Sequence, residues 1–214
     1  QHLARPLLDE AAFLSHAHAL AIEGQLLERL RARSGIDPVL TPLVQELAAS
    51  PTAAVASLAM AALAAQARFV QYQRRMELPL RDLPGELLHK ALLVLRTQSG
   101  HDEAGAVAAE SRLRGQFEEA AGRPALLARM VTCLEGRASR ALAIDHAGLS
   151  VFAGALAVAS GQERDVAVLA LSGRQYARLA ISLRAAGLPQ EAVEAQFAFL
   201  HPELALPDGF DLLR

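Results

Sequence analysis

Apolar side chains recur at steps of three and four residues from one end of this sequence to the other, a spacing that suits helices and not strands. The stretch after Ser50-Pro51 shows it most plainly. Val55, Leu58, Ala62, Ala65, Phe69, Tyr72 and Met76 form a narrow seam suited to packing along another helix. Alanines line the first half of that seam, and Arg68, Arg74 and Arg75 gather at its end, where positive charge favours the carbonyl end of the helix dipole. Strands would need β-branched and aromatic residues in alternation, and aromatics are only 4 % of the chain. Alanine and leucine dominate instead, the two residues that lose least side-chain freedom in a helix.

Capping residues and prolines divide the pattern. A first helix is expected over about 7–32, stopped by Ser34-Gly35. Asp37-Pro38 reads as a cap with proline at the first helical position, opening a second helix with Val39, Leu40, Leu43, Val44 and Leu47 inward. Ser50-Pro51 repeats that signal. Further helices are expected over about 84–97, from Asp102 to about 121, and from Pro124 to about 135. Short helices then follow over about 139–145, 148–159, 163–171, 173–186 and 189–200. The expectation is an all-α fold of about ten helices, in antiparallel pairs with partial HEAT-like repeat stacking or as an irregular bundle. Gly161 and Gly187 each stop a helix ahead of an acidic helix start, a two-copy echo too short to define a repeat array. Ser99-Gly100 divides an N-terminal half, 1–99, from a C-terminal half of short helices, 100–214, unless the two form one continuous domain.

Several function classes lose ground on composition and spacing. A net charge of -2 supplies no global basic field for nucleic acid. With 52 % hydrophobic and 21 % charged residues the chain is not of the disordered class. Cys133 is the lone cysteine, so neither an internal disulfide nor a cysteine-rich zinc site can form, and its apolar neighbours suggest a small buried thiol. His16 and His18 stand two apart, on different sides of a helix, so no metal is expected. Asp145-His146 with Ser150 lacks the nucleophile-elbow glycines and a strand to carry them. No phosphate-cradling glycine loop occurs, and no cofactor or catalytic residue is expected. The longest uncharged apolar stretch, Ala53–Ala67, falls short of the roughly 18 residues of a membrane span, and a cytoplasmic location is expected.

Two sets of residues stand out. Arg68, Phe69, Tyr72, Arg74, Arg75 and Arg81 interleave arginine with aromatics, the pairing enriched at protein interfaces, and are the candidate partner patch. Lys90 is the only lysine, so positive charge in this chain is almost all arginine. His89, in Glu86-Leu87-Leu88-His89-Lys90, is a candidate phosphoacceptor for a phosphotransfer-type module.

Three stretches together resemble a known family. They are Gly35–Leu40 with Leu58–Phe69, then Arg74-Arg75-Met76-Glu77-Leu78-Pro79-Leu80, and finally Leu183-Arg184-Ala185-Ala186-Gly187-Leu188-Pro189. They are similar to the DUF2336 family of uncharacterised helical proteins of alphaproteobacteria. The resemblance implies a bacterial, cytoplasmic helical domain and carries no catalytic residues with it.

The leading functional expectation is a non-enzymatic interaction or regulatory domain whose partner is another protein. The alternatives are the phosphotransfer module and a small-molecule sensor with a closed cavity above roughly 300 Å³ between helices. The seam from Val55 to Met76 offers a route to a homodimer, with an intramolecular partner the favoured use of it.

Overall fold

The computed structural model describes residues 4–100, 102–173 and 175–204. Among them the structure is all-α, with twelve helices and no strand. The helices are α1 (Ala4–Leu8), α2 (Ala11–Ser34), α3 (Pro42–Ala48), α4 (Ala53–Arg75), α5 (Gly85–Gln98), α6 (Glu103–Gln116), α7 (Arg123–Thr132), α8 (Ile144–Ala147), α9 (Leu149–Ser160), α10 (Arg164–Ser172), α11 (Tyr176–Ala185) and α12 (Gln190–Leu200). Short 3-10 segments at Leu80–Asp82, Glu119–Ala121, Glu135–Leu142 and Pro202–Leu204 join some of them.

The centre is α9. Every residue from Leu149 to Ala157 is buried, so this helix is apolar all round, as a helix enclosed on all sides must be. α7, α10, α11 and α2 pack around it. α4 closes the other side of α7 and carries α3. α2 crosses the body with His16, Ala19, Leu20, Glu23, Leu26, Leu27 and Leu30 buried, a stripe at helical spacing that holds two polar residues among the apolar ones. The main core takes side chains from Ala19 to Leu204, on both sides of Ser99-Gly100. That junction is the turn of a hairpin in which α5 packs on α6. The hairpin carries a smaller core of its own: Leu83, Leu87, Leu88, Ala91 and Leu92 lie against Leu7, Phe13, Leu113 and Phe117.

Local signals explain most helix ends. The Asp102 carboxylate accepts the Gly105 N–H at 3.0 Å and caps α6 as expected. Asp37 does not open a helix: its Oδ1 accepts from the N–H groups of Val39 and Leu40, both at 2.8 Å, and makes a turn. The helix starts one proline later, at Thr41-Pro42. Gly148 has φ +74, and a Cβ there would sit 2.3 Å from the Thr41 methyl. Glycine lets the chain turn between α8 and α9 while the Thr41 hydroxyl donates to the Ala147 carbonyl at 3.0 Å. Cys133, expected as a buried thiol, is exposed, because it caps the end of α7 where the apolar face stops.

α4 spans the expected seam, but its apolar part runs further than the Ala53–Ala67 stretch. With 23 residues and a mean hydropathy of 1.6 over its best stretch, it is the one described helix long and apolar enough to cross a membrane by length and composition. That uncharged stretch, interrupted by Ser57 and Gln66, ends at Ala67 because Arg68 follows. In the fold that glutamine faces inward and is hydrogen-bonded, and α4 packs against α3, α7 and α2.

Candidate functional site

The C-terminal half of α4 gathers most of the sequence-flagged residues, and the fold sends them in different directions. Phe69 is buried, with the Arg123 guanidinium over its ring at 3.6 Å from the centroid. Arg68 points away and lines an open cleft with Leu88, Phe117, Asp82 and Glu118. Tyr72, half-buried, lines a narrow crevice beside Phe69 and Arg123. Arg74 and Arg75 are exposed in the last turn. The side chain of Arg81 lies outside the described residues. The five of these residues on α4 therefore wrap the helix end and do not make a single face.

One surface feature takes its place. α2 and α4 cross closely at Gly24, where a Cβ would come within 3.0 Å of the Gln73 amide oxygen. Beside this crossing lies an open groove of about 570 Å³. Ala21, Leu27, Phe69 and Val70 line its apolar part, Pro38 closes one end, and Gln25, Glu28, Gln73 and Arg74 are its polar groups. Met76 stands on its rim, 95 % exposed.

Met76 is also strained. Its φ is 54° and ψ 41°, the left-handed region, and it is the one described non-glycine residue with positive φ. Glu77 N–H bonds to the Tyr72 carbonyl at 2.9 Å and Met76 N–H to the Gln73 carbonyl at 3.1 Å. That is the paired-bond helix stop in which glycine usually occupies the left-handed position. A side chain there costs roughly 1–2 kcal/mol, and full exposure of the thioether side chain returns no burial within the chain.

Beneath the groove lies the feature the sequence concealed. Glu23 on α2 is fully buried between two arginines. Arg123 grips both carboxylate oxygens at 2.8 Å, and Arg164 grips both at 2.7 and 2.8 Å. The Ser150 hydroxyl donates to the same carboxylate at 2.7 Å. Gln66 donates to Ser150 at 2.8 Å and to the Pro38 carbonyl at 2.9 Å, and accepts from Arg123 at 3.1 Å. Burial alone would raise the Glu23 pKa, but the two guanidiniums outweigh it and hold the carboxyl well below the ordinary carboxylate range. One carboxylate against two guanidiniums leaves a surplus positive charge, which Asp165 next to Arg164 offsets. Asp165 in turn meets the Nδ1 of buried His16 at 2.7 Å. Two α2 residues seven positions apart thus clasp the adjacent pair that opens α10. The cluster joins α2, α4, α7, α9 and α10; the Glu23 carboxylate is fully engaged, while the buried His16 Nε2 and Arg164 Nε have no hydrogen-bond partner among the described residues.

The other flagged groups separate. Ser150 serves Glu23, while His146 faces Arg140 at 3.0 Å and Glu46 at 3.6 Å, so no hydrolase-like triad assembles. Among the described residues, no group of three or more metal-ligating side chains comes together. His89 is exposed on the α5–α6 pair, as a phosphoacceptor would be. Its Nδ1, however, meets the Arg114 guanidinium at 2.8 Å, and Arg114 is in turn tied to Glu110 at 2.8 Å. A guanidinium only donates, so in this contact Nδ1 is the acceptor.

No family model, curated protein or solved structure matches the chain.

Proposed function

We propose that this chain is a non-enzymatic protein-interaction or regulatory domain, and that it receives apolar side chains of a partner protein in the groove between α2 and α4. The observation that carries the reading is Met76: a strained, fully exposed apolar residue at the rim of an open apolar groove. Strain at one exposed side chain makes sense where a contact made outside the chain offsets it. The seam from Val55 to Phe69 does not compete for this role, since Leu58, Ala62, Ala65 and Phe69 are buried within the fold. The open shape of the groove fits a protein side chain better than the enclosed cavity of a small-molecule sensor. The DUF2336 resemblance and a bacterial cytoplasmic location go with this proposal.

A photo-activatable residue at position 76, with one at exposed Ile181 as control, tests it in the native cell. The expected result is one protein cross-linked from position 76 and not from 181, with binding lost in Met76→Glu. That variant leaves the helix stop equally strained and so isolates the contact. Identical cross-links from both positions would overturn the proposal.

A further inference from the structure

We propose that the cleft lined by Arg68 binds a small zwitterion with an apolar body, of the class of free apolar amino acids and dipeptides. The cleft shares no lining residue with the α2–α4 groove, so this inference stands apart from the docking proposal. Its volume of about 620 Å³ falls within the roughly 300–1,000 Å³ of small-molecule sites. Leu80, Leu88, Leu113 and Phe117 give it an apolar lining on which a branched or aromatic side chain can sit.

The walls of the cleft are held from behind. They come from α4, α5, α6 and the connections that hold Leu80–Asp82 and Glu119–Ala121. The Glu119 carboxylate accepts the Gly85 N–H at 3.1 Å and ties the connection after α6 to the start of α5. Arg68 adjoins Phe69 and lies two residues after Gln66, and both of these touch Arg123 in the buried cluster. Arg123 also anchors the chain directly after Gly122, which lines the cleft. A site framed in this way is preorganised, so little ordering of the protein opposes binding.

Charge selects the ligand. Arg68 and Glu118 both line the cleft, and neither side chain has a hydrogen-bond or ion-pair partner among the described residues. Asp82 lines the cleft as well and is already engaged. The cleft therefore offers one guanidinium and one carboxylate beside an apolar surface. A fatty carboxylate would pair with Arg68 and leave Glu118 facing its tail. An apolar amine would pair with Glu118 and leave Arg68 unmatched. A zwitterion sets its carboxylate on Arg68, whose fork suits two parallel hydrogen bonds, and its ammonium on Glu118. Its apolar side chain then lies on Leu113 and Phe117.

Isothermal titration calorimetry on the full chain, with L-leucine in one arm and leucyl-leucine in the other, tests the site and separates the two sources. The tighter ligand is then compared with its C-terminal amide, which lacks the carboxylate, and with its N-acetyl form, which lacks the ammonium. The expected result is saturable binding of one zwitterion, with each blocked form about tenfold weaker. In Arg68→Gln the amide should bind as well as the parent, and in Glu118→Gln the N-acetyl form should. Both residues are exposed, and circular dichroism checks that the variants keep their helicity. No saturable binding of either zwitterion at millimolar concentration overturns the proposal. So do blocked forms that bind as tightly as the parent, or discrimination that survives both substitutions.

Discussion

Replacing Glu23 with glutamine keeps the shape of the buried cluster and removes its charge. The consequence follows from the geometry. Each carboxylate oxygen accepts from both arginines, so neither orientation of a glutamine amide escapes placing its NH2 against two guanidinium donors. The substitution also leaves the almost fully buried Arg123 and the largely buried Arg164 without their counter-charge. Removing one partner of a buried ion pair costs about 3–5 kcal/mol, against a total stability of about 5–15 kcal/mol for a folded domain. Glu23→Gln should therefore lower the unfolding free energy by about 4 kcal/mol in urea titrations at pH 7. The sign of the pH dependence is also fixed. The folded-state pKa of Glu23 is depressed, so its stabilisation is fully present above the unfolded value of about 4.3 and is lost as pH falls below it toward the folded value. Stability contributed by this group should be flat from pH 7 to about 5 and fall below about 4.3, and the variant should lose that part of the acid slope. Replacing all three charged residues together, Glu23→Leu with Arg123→Met and Arg164→Met, should recover most of the loss, because the apolar replacements carry no desolvation cost. A loss below about 1 kcal/mol in Glu23→Gln would refute the reasoning, since that is the scale of an exposed pair.

Three further outcomes follow from single positions. Met76→Gly should raise stability by about 1 kcal/mol by removing the left-handed side-chain penalty, read as a higher urea midpoint at unchanged slope. Gly148→Ala should lower stability by about 3 kcal/mol, combining the backbone conformation with the Thr41 clash, in the same titration. Burial pushes the His201 pKa below its ordinary value, although Glu203 beside it opposes the shift. Its stabilisation is present above the unfolded histidine value of about 6.5 and is lost as pH falls below it, so His201→Phe should flatten the stability curve between about pH 7 and 5.

The helices were legible because their causes are local. Asp102 caps α6 from three residues away, and the Leu87, Leu88, Ala91, Leu92 stripe is buried as its spacing implies. Asp37-Pro38 misleads because a turn and a helix start use the same side chain in the same way for their first two hydrogen bonds, and Pro42 supplies a second start nearby. The buried cluster was hidden by distance: Glu23 meets Arg123 across 100 residues and Arg164 across 141. A signal was present nonetheless, since His16 and Glu23 fall on the apolar stripe of α2, where a charge needs a buried partner. Phe69 of the arginine–aromatic set is also one of the seam residues. Its helical phase turns it inward under Arg123, while Arg68 and Arg74 on either side face two separate depressions. Met76 gave no warning, because a left-handed methionine is set by where α4 must stop and not by its own preference.

The most direct measurement is amide hydrogen exchange on the full chain with and without the protein captured through position 76. Slower exchange over residues 21–28 and 70–77, with 176–185 unchanged, is the result expected of a partner seated between α2 and α4. Protection confined to other helices, with the groove exchanging as before, would contradict it.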